Sequence, residues 1–148
     1  MTKTHCIAKA LIIDKNGYFL LLKRSDSHPT LAGYYDLPGG MVESLEDFRT
    51  ALVREIREET GFEFQKQSVR AIYTSTHLMH GKSYPTVLYC VRIEHEKPDV
   101  TISWEHQLYE WVPMARLREV EPQLAPTYQE ALHYIQDNQI IDDLSLGH

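Results

Sequence analysis

A chain of 148 residues with 43% hydrophobic content is long enough to bury a sizeable core and too short for two ordinary domains, so residues 1–148 read as a single domain. The net charge of −6, without any block of Lys and Arg, disfavours a nucleic-acid polymer as partner unless positive charge is concentrated locally. No apolar run of about 18 residues, charged-then-apolar leader, internal repeat or low-complexity tract is present, so a soluble, cytoplasmic protein without a membrane partner is expected.

Ile7 to Ile13 and Tyr18 to Leu22 are rich in strand formers, and Asp14-Lys15-Asn16-Gly17 between them supplies a turn, which predicts a hairpin. Cys6 and, later, Cys90 lie in apolar strand-like surroundings without zinc or disulfide spacing and are expected to be buried free thiols. Asp26 to Gly40 contains Pro29, Gly33, Pro38, Gly39 and Gly40, which predicts a loop. Ser44-Leu45-Glu46-Asp47 reads as a capping box, with Ser44 as N-cap and Asp47 as its reciprocal partner, so a helix should begin near Leu45. Leu45, Phe48, Leu52 and Ile56 recur at intervals of three and four and form its buried stripe. Gly61 can take the left-handed conformation that ends it.

Beyond the helix, Val69 to Leu78 and Thr86 to Ile93 read as strands around a loop from His80 to Pro85, and Tyr109 to Val112 as a short strand. Leu124 to Gln139 should form a terminal helix, with a loose tail from Asp142 onward. Strands and helices mixed without regular alternation indicate an α+β fold, a mixed sheet between helical layers.

Glu55, Glu58 and Glu59 stand at relative positions zero, three and four, which gathers them on one helix face roughly a quarter-turn from the buried stripe. Like charges at that spacing destabilise a helix by only about 0.2–0.5 kcal/mol per pair, so repulsion alone does not demand a cation. A bare acidic triad is more often a solvated face than a metal site. Carboxylate oxygens are nonetheless the ligands that Mg²⁺ takes, completed by water and substrate phosphates, and a bound ion would let an acidic protein attract polyphosphate.

The order Gly40, five residues, Glu46, seven residues, then Arg54-Glu55-Ile56-Arg57-Glu58-Glu59-Thr60-Gly61-Phe62 resembles a complete Nudix box. The likeness spans 23 residues, Gly40 to Phe62, with weaker support from Leu37-Pro38-Gly39 before it and from Glu105 and Trp111 after it. One departure is Leu45, where many members of that family carry glycine. The resemblance implies an α/β/α Nudix sandwich and hydrolysis of the pyrophosphate linkage in a small-molecule nucleoside diphosphate derivative by metal-activated water. Normal or oxidised nucleoside triphosphates, nucleotide sugars and dinucleotides are the candidate substrates. It implies Mg²⁺, with Mn²⁺ as a substitute, on the Gly40 carbonyl, Glu55, Glu58 and Glu59, and a structural salt bridge between Arg54 and Glu46. Arg57 falls in a variable position.

The general base is either Glu55 or Glu105, which resembles an outside glutamate of nucleotide-sanitising members; Glu94, Glu96 and Glu110 compete with it. Arg24 resembles a phosphate-contacting position, and Tyr34, Tyr35, Tyr73, Tyr84 and Trp104 offer faces for base stacking, Tyr35 being the candidate carried forward with Arg24. His77 and His80 read as structural or surface residues. Neither phosphate-binding glycine motif, G-x-x-x-x-G-K-[ST] or G-x-G-x-x-G, occurs. The alternative is a Nudix-like domain that senses nucleotide without cleaving it. Several members of the family are homodimers, but no unpartnered apolar stripe in this sequence speaks for one.

Overall fold

A computed structural model describes residues 3–27, 32–124 and 126–140. In chain order the elements are β1 (Lys3–Thr4), β2 (Ile7–Ile13), β3 (Tyr18–Arg24), β4 (Tyr35–Asp36), β5 (Gly39–Met41), α1 (Phe48–Thr60), β6 (Arg70–Met79), β7 (Lys82–Arg92), β8 (His106–Pro113), α2 (Leu117–Val120) and α3 (Pro126–Asp137). The strands form one mixed sheet: β2 runs parallel to β7, β6 lies antiparallel on β7, and β8 lies antiparallel on β3.

β2 is buried on both faces, and the alternation of its side chains divides the core in two. Ala8, Ala10 and Ile12 pack with Leu52 and Ile56 of α1 on one face. Leu11 and Ile13 pack with Leu117, Leu132 and Ile135 of α2 and α3 on the other. Helices thus cover both faces of the sheet, which is the expected α+β sandwich.

The second edge of β2 changes partner along its length. Ile7, Ala8 and Lys9 pair with Met41, Gly40 and Gly39 of β5, whereas Ile13 pairs with Phe19 of β3. Where the two partners diverge, Ala10 N–H donates to the Pro38 carbonyl at 2.9 Å. The predicted hairpin therefore forms, but with little ladder of its own. Its turn is held by the buried Asp14, whose Oδ1 accepts the N–H groups of Asn16 and Tyr18 at 2.9 and 2.8 Å.

Several boundaries differ from those read in the sequence. The loop from Asp26 to Gly40 contains β4 and part of β5, two short strands that the glycines and prolines in and around them conceal in the sequence. The loop from His80 to Pro85 contracts to a turn at His80 and Gly81, because Lys82 onward already pairs with β6. The last helix covers Pro126–Asp137, and the segment from Asp142 lies outside the described residues. Cys90 is buried but Cys6 is half-buried, and both are free thiols.

Helix α1 starts at Phe48, with Asp47 as its N-cap in place of Ser44. Asp47 Oδ1 accepts the Thr50 N–H at 2.8 Å, while Glu43 to Glu46 form a separate turn closed by Glu46 N–H to the Glu43 carbonyl at 3.1 Å. Leu45 leaves the predicted stripe: it sits in that turn at φ 66° and is fully exposed. A positive φ explains why glycine suits the position in relatives of the box. Gly61 ends the helix as expected, at φ 82°, its N–H reaching the Arg57 carbonyl.

Candidate active site

The site is built where the Gly39-Gly40 bend meets the last two turns of α1. Gly39 has φ 126°, and a Cβ there would lie 2.1 Å from the Ala8 carbonyl oxygen, so β2 excludes any side chain. A Cβ on Gly40 would fall within 2.6–2.9 Å of the Glu55 carboxyl atoms. The missing side chain is thus what lets the Glu55 carboxylate lie against the bend.

Glu59 departs from the expected acidic face. Leu52, Ile56 and Glu59 follow one another at four and three residues, so Glu59 continues the buried stripe and is 4% exposed. Its Oε2 accepts the Gly39 N–H at 3.1 Å. Burial pushes its carboxyl well above the usual range, against the opposing pull of the Lys9 ammonium.

Arg54 connects the other carboxylates. Nε meets Glu46 Oε2 at 2.7 Å and Nη2 meets Glu46 Oε1 at 3.0 Å, while Nη2 also reaches the Met41 carbonyl at 3.2 Å. Hydrogen bonding from Arg54 holds the Glu46 carboxyl below its ordinary value. Nη1 lies 2.9 Å from Glu55 Oε1 and 3.3 Å from Glu58 Oε2, so a positive group already stands between two of the predicted ligands. Arg57 is exposed in the last turn of α1.

A buried ionic group on the other side of the bend goes beyond what the sequence pattern indicates. Lys9 Nζ donates to Asp36 Oδ2 at 3.2 Å, to the Leu37 carbonyl at 3.1 Å and to the Gly39 carbonyl at 2.9 Å. Burial alone would raise the Asp36 carboxyl, but Lys9 and Arg24 beside it hold it below the usual range. The one signal for it is a single lysine inside an otherwise apolar strand, since a charge there must be paired.

Arg24, the candidate phosphate contact, directs Nε and Nη2 to Asp36 Oδ2 at 3.2 and 3.0 Å. Tyr35 packs against the α3-side core and donates its hydroxyl to Glu110 Oε2 at 3.0 Å. Glu105 is half-buried immediately before β8, and its carbonyl accepts the Ser25 N–H at 2.9 Å, which places it at the Arg24 end of β3. Glu94 and Glu96 flank His95, whose carbonyl accepts the Lys15 N–H beside the Asp14 turn, at the far end of β2 from Gly39. Trp104, 74% exposed, and Tyr34 lie on the Arg24 rim, whereas Tyr73 packs on Tyr134 and Tyr84 on His5. His77 Nε2 lies 3.4 Å from Ser75 Oγ, and His80 occupies the β6–β7 turn.

Among the described residues, no three carboxylate, imidazole or thiol side chains converge tightly enough to hold one ion. The donor set nevertheless suits a hard divalent cation: Glu55 against Gly40, and Glu55 and Glu58 both turned to one cationic nitrogen.

The model of the NUDIX domain matches residues 3–135. The chain belongs to the NUDIX family. This Nudix protein is 34% identical over 111 residues to the nucleoside triphosphatase NudI of Escherichia coli, a match covering 68% of the chain and 77% of that protein. It is 42% identical over 64 residues to an ADP-ribose pyrophosphatase of Methanocaldococcus jannaschii, covering 43% of the chain and 37% of that protein. The crystal structure of the MutT protein from Methanosarcina mazei Go1 superposes with a TM-score of 0.80 at 26% identity, covering 93% and 96% of the two chains. The assignment makes the protein a Nudix hydrolase, and the box residues Gly40 to Phe62 lie within the matched segment.

Proposed function

We propose that the protein hydrolyses the pyrophosphate linkage of a nucleoside triphosphate or another nucleoside diphosphate derivative with Mg²⁺, or Mn²⁺ in its place. The observation that carries this reading is the bend against α1, where glycine at position 40 makes room for the Glu55 carboxylate. Glu55, Glu58, Glu59 and the Gly40 carbonyl would hold the metal, with Glu58 and Glu55 exchanging Arg54 for it. When bound, such an ion supplies neutralisation of the non-bridging phosphate oxygens and a more acidic water.

The chain's own groups provide the rest. Arg54 and Glu46 brace the turn before α1 so that Glu55 keeps its place. Glu105, on the Arg24 rim, accepts the proton of the attacking water, and Glu55 is the second candidate for that role. Trp104 and Tyr34 present exposed rings to a nucleobase at the same rim. Names of the relatives, a nucleoside triphosphatase and an ADP-ribose pyrophosphatase, support a small nucleotide as substrate.

A panel of nucleoside triphosphates, oxidised nucleotides, nucleotide sugars, dinucleotides and ADP-ribose, incubated with Mg²⁺ or Mn²⁺ and assayed for phosphate or pyrophosphate release, tests the reading. Metal-dependent turnover of at least one class is expected. Silence across the panel, with tight nucleotide binding, would replace hydrolysis by sensing.

A further inference from the structure

Gly39 is held at both of its polar atoms by side chains distant in sequence. Its N–H donates to Glu59 Oε2 at 3.1 Å, and its carbonyl accepts from Lys9 Nζ at 2.9 Å. The same ammonium holds the Leu37 carbonyl at 3.1 Å, two residues earlier, and Asp36 Oδ2 at 3.2 Å. These contacts lie where the edge of β2 passes from one partner strand to the other.

Burying an ammonium costs several kcal/mol unless its hydrogens are all satisfied, and here three oxygens satisfy them. An apolar residue would serve the surrounding core at least as well, since Leu11 and Ile13 occupy the neighbouring places on that face. What an apolar residue cannot do is bond two carbonyls of the 36–40 segment at once. Pairing through the β2–β5 ladder begins at Gly39 and the Pro38 carbonyl is held by the Ala10 N–H, so the lysine adds a side-chain tie that reaches back to Leu37, where the ladder does not extend.

We propose that Lys9 is a positioning residue: its ammonium ties the Leu37 and Gly39 carbonyls and Asp36 together, and so sets the Gly39-Gly40 bend against Glu55 and Glu59. Asp36 supplies the counter-charge, and Arg24 holds Asp36 from its other side at 3.0 Å. The chain of contacts from Arg24 through Asp36 and Lys9 to Gly39 also links the Glu105 rim to the box. The consequence for cation binding rests on the metal reading above, whereas the consequence for the backbone does not.

The test uses Lys9→Met and the charge-balanced pair Lys9→Met/Asp36→Asn, in which the side-chain amide oxygen introduced at position 36 still accepts from Arg24. If the single variant does not fold, the pair alone is measured. In metal-free protein, hydrogen exchange at the Gly39 and Gly40 amides should accelerate at least tenfold relative to wild type, while the Val42 amide, bonded to the Cys6 carbonyl, keeps its protection. Mn²⁺ affinity, read by electron paramagnetic resonance, should fall by about 10- to 100-fold in the pair, the range for a lost outer-shell support. A pair with wild-type thermal stability, wild-type Gly39 exchange and wild-type Mn²⁺ affinity would overturn the proposal. If wild type itself binds no Mn²⁺, the metal reading fails and the exchange arm still decides the role of Lys9.

Discussion

Arg54 grips Glu46 through two parallel hydrogen bonds, Nε to Oε2 at 2.7 Å and Nη2 to Oε1 at 3.0 Å. The pair ties α1 to the turn that precedes it, and the remaining guanidinium nitrogen faces Glu55 and Glu58. Orientation of the box therefore depends on the planar fork of the guanidinium as well as on its charge.

Arg54→Lys keeps the charge and loses the fork. An ammonium cannot span Glu46, the Met41 carbonyl, Glu55 and Glu58 together, so the variant should melt several degrees lower by circular dichroism and lose most of its turnover. Equality with wild type in both measurements would show that charge alone suffices.

Glu58 is largely exposed and contributes only one 3.3 Å contact to Arg54. Glu58→Gln should therefore unfold at the wild-type temperature, while Mg²⁺-dependent turnover falls by orders of magnitude. Unchanged turnover would count heavily against the proposed ligands.

For Glu105→Gln, loss of the proposed general base should lower kcat by about 10²- to 10⁴-fold with little change in KM. Steady-state kinetics on the substrate that the panel identifies decides this. A normal kcat would move the base to Glu55.

Leu45 has no burial to lose, and its left-handed backbone costs a non-glycine residue about 1–2 kcal/mol. Glycine gives back about 0.5–1 kcal/mol of that through unfolded-state entropy, so Leu45→Gly should be neutral to slightly stabilising in urea titration. Leu45→Ala, which keeps the strain, should gain nothing; matching gains for both variants would refute the backbone explanation.

Asp47 is held down to about 2 by the Lys66 ammonium and the Thr50 N–H, against an ordinary value of 3.8. A carboxyl lowered on folding contributes stability above its unfolded pKa and loses it as pH falls through the folded value. In Asp47→Asn the amide oxygen would still accept from the Thr50 N–H, but the side chain carries no charge. The stability gap between wild type and this variant should be full above about pH 5 and close between about pH 4 and pH 2. A gap independent of pH would remove the Lys66 contribution.

What is legible in the sequence has a local cause. β2 spans Ile7–Ile13 as its apolar run indicates, and Gly61 ends α1 because only its backbone freedom suits that place. The start of α1 is ambiguous in the sequence because two acceptors, Ser44 and Asp47, compete as caps three residues apart, and the turn closed by Glu43 and Glu46 takes up the first. Spacing also puts Glu59 with its acidic neighbours, although the interval from Ile56 equally continues the apolar stripe. The Lys9, Asp36 and Arg24 group cannot be assembled from spacing, since its members come from three strands whose register only the folded sheet reveals.

Glu59 stands where α1 would otherwise seat an aliphatic side chain beneath the sheet. Leucine would suit the stripe alone, but it would leave the Gly39 N–H without its acceptor. Burial works against its charge there, opposed by the Lys9 ammonium. If the proposed divalent ion binds there, ion capture and the folding of the last helical turn are linked, and added metal should raise the unfolding temperature.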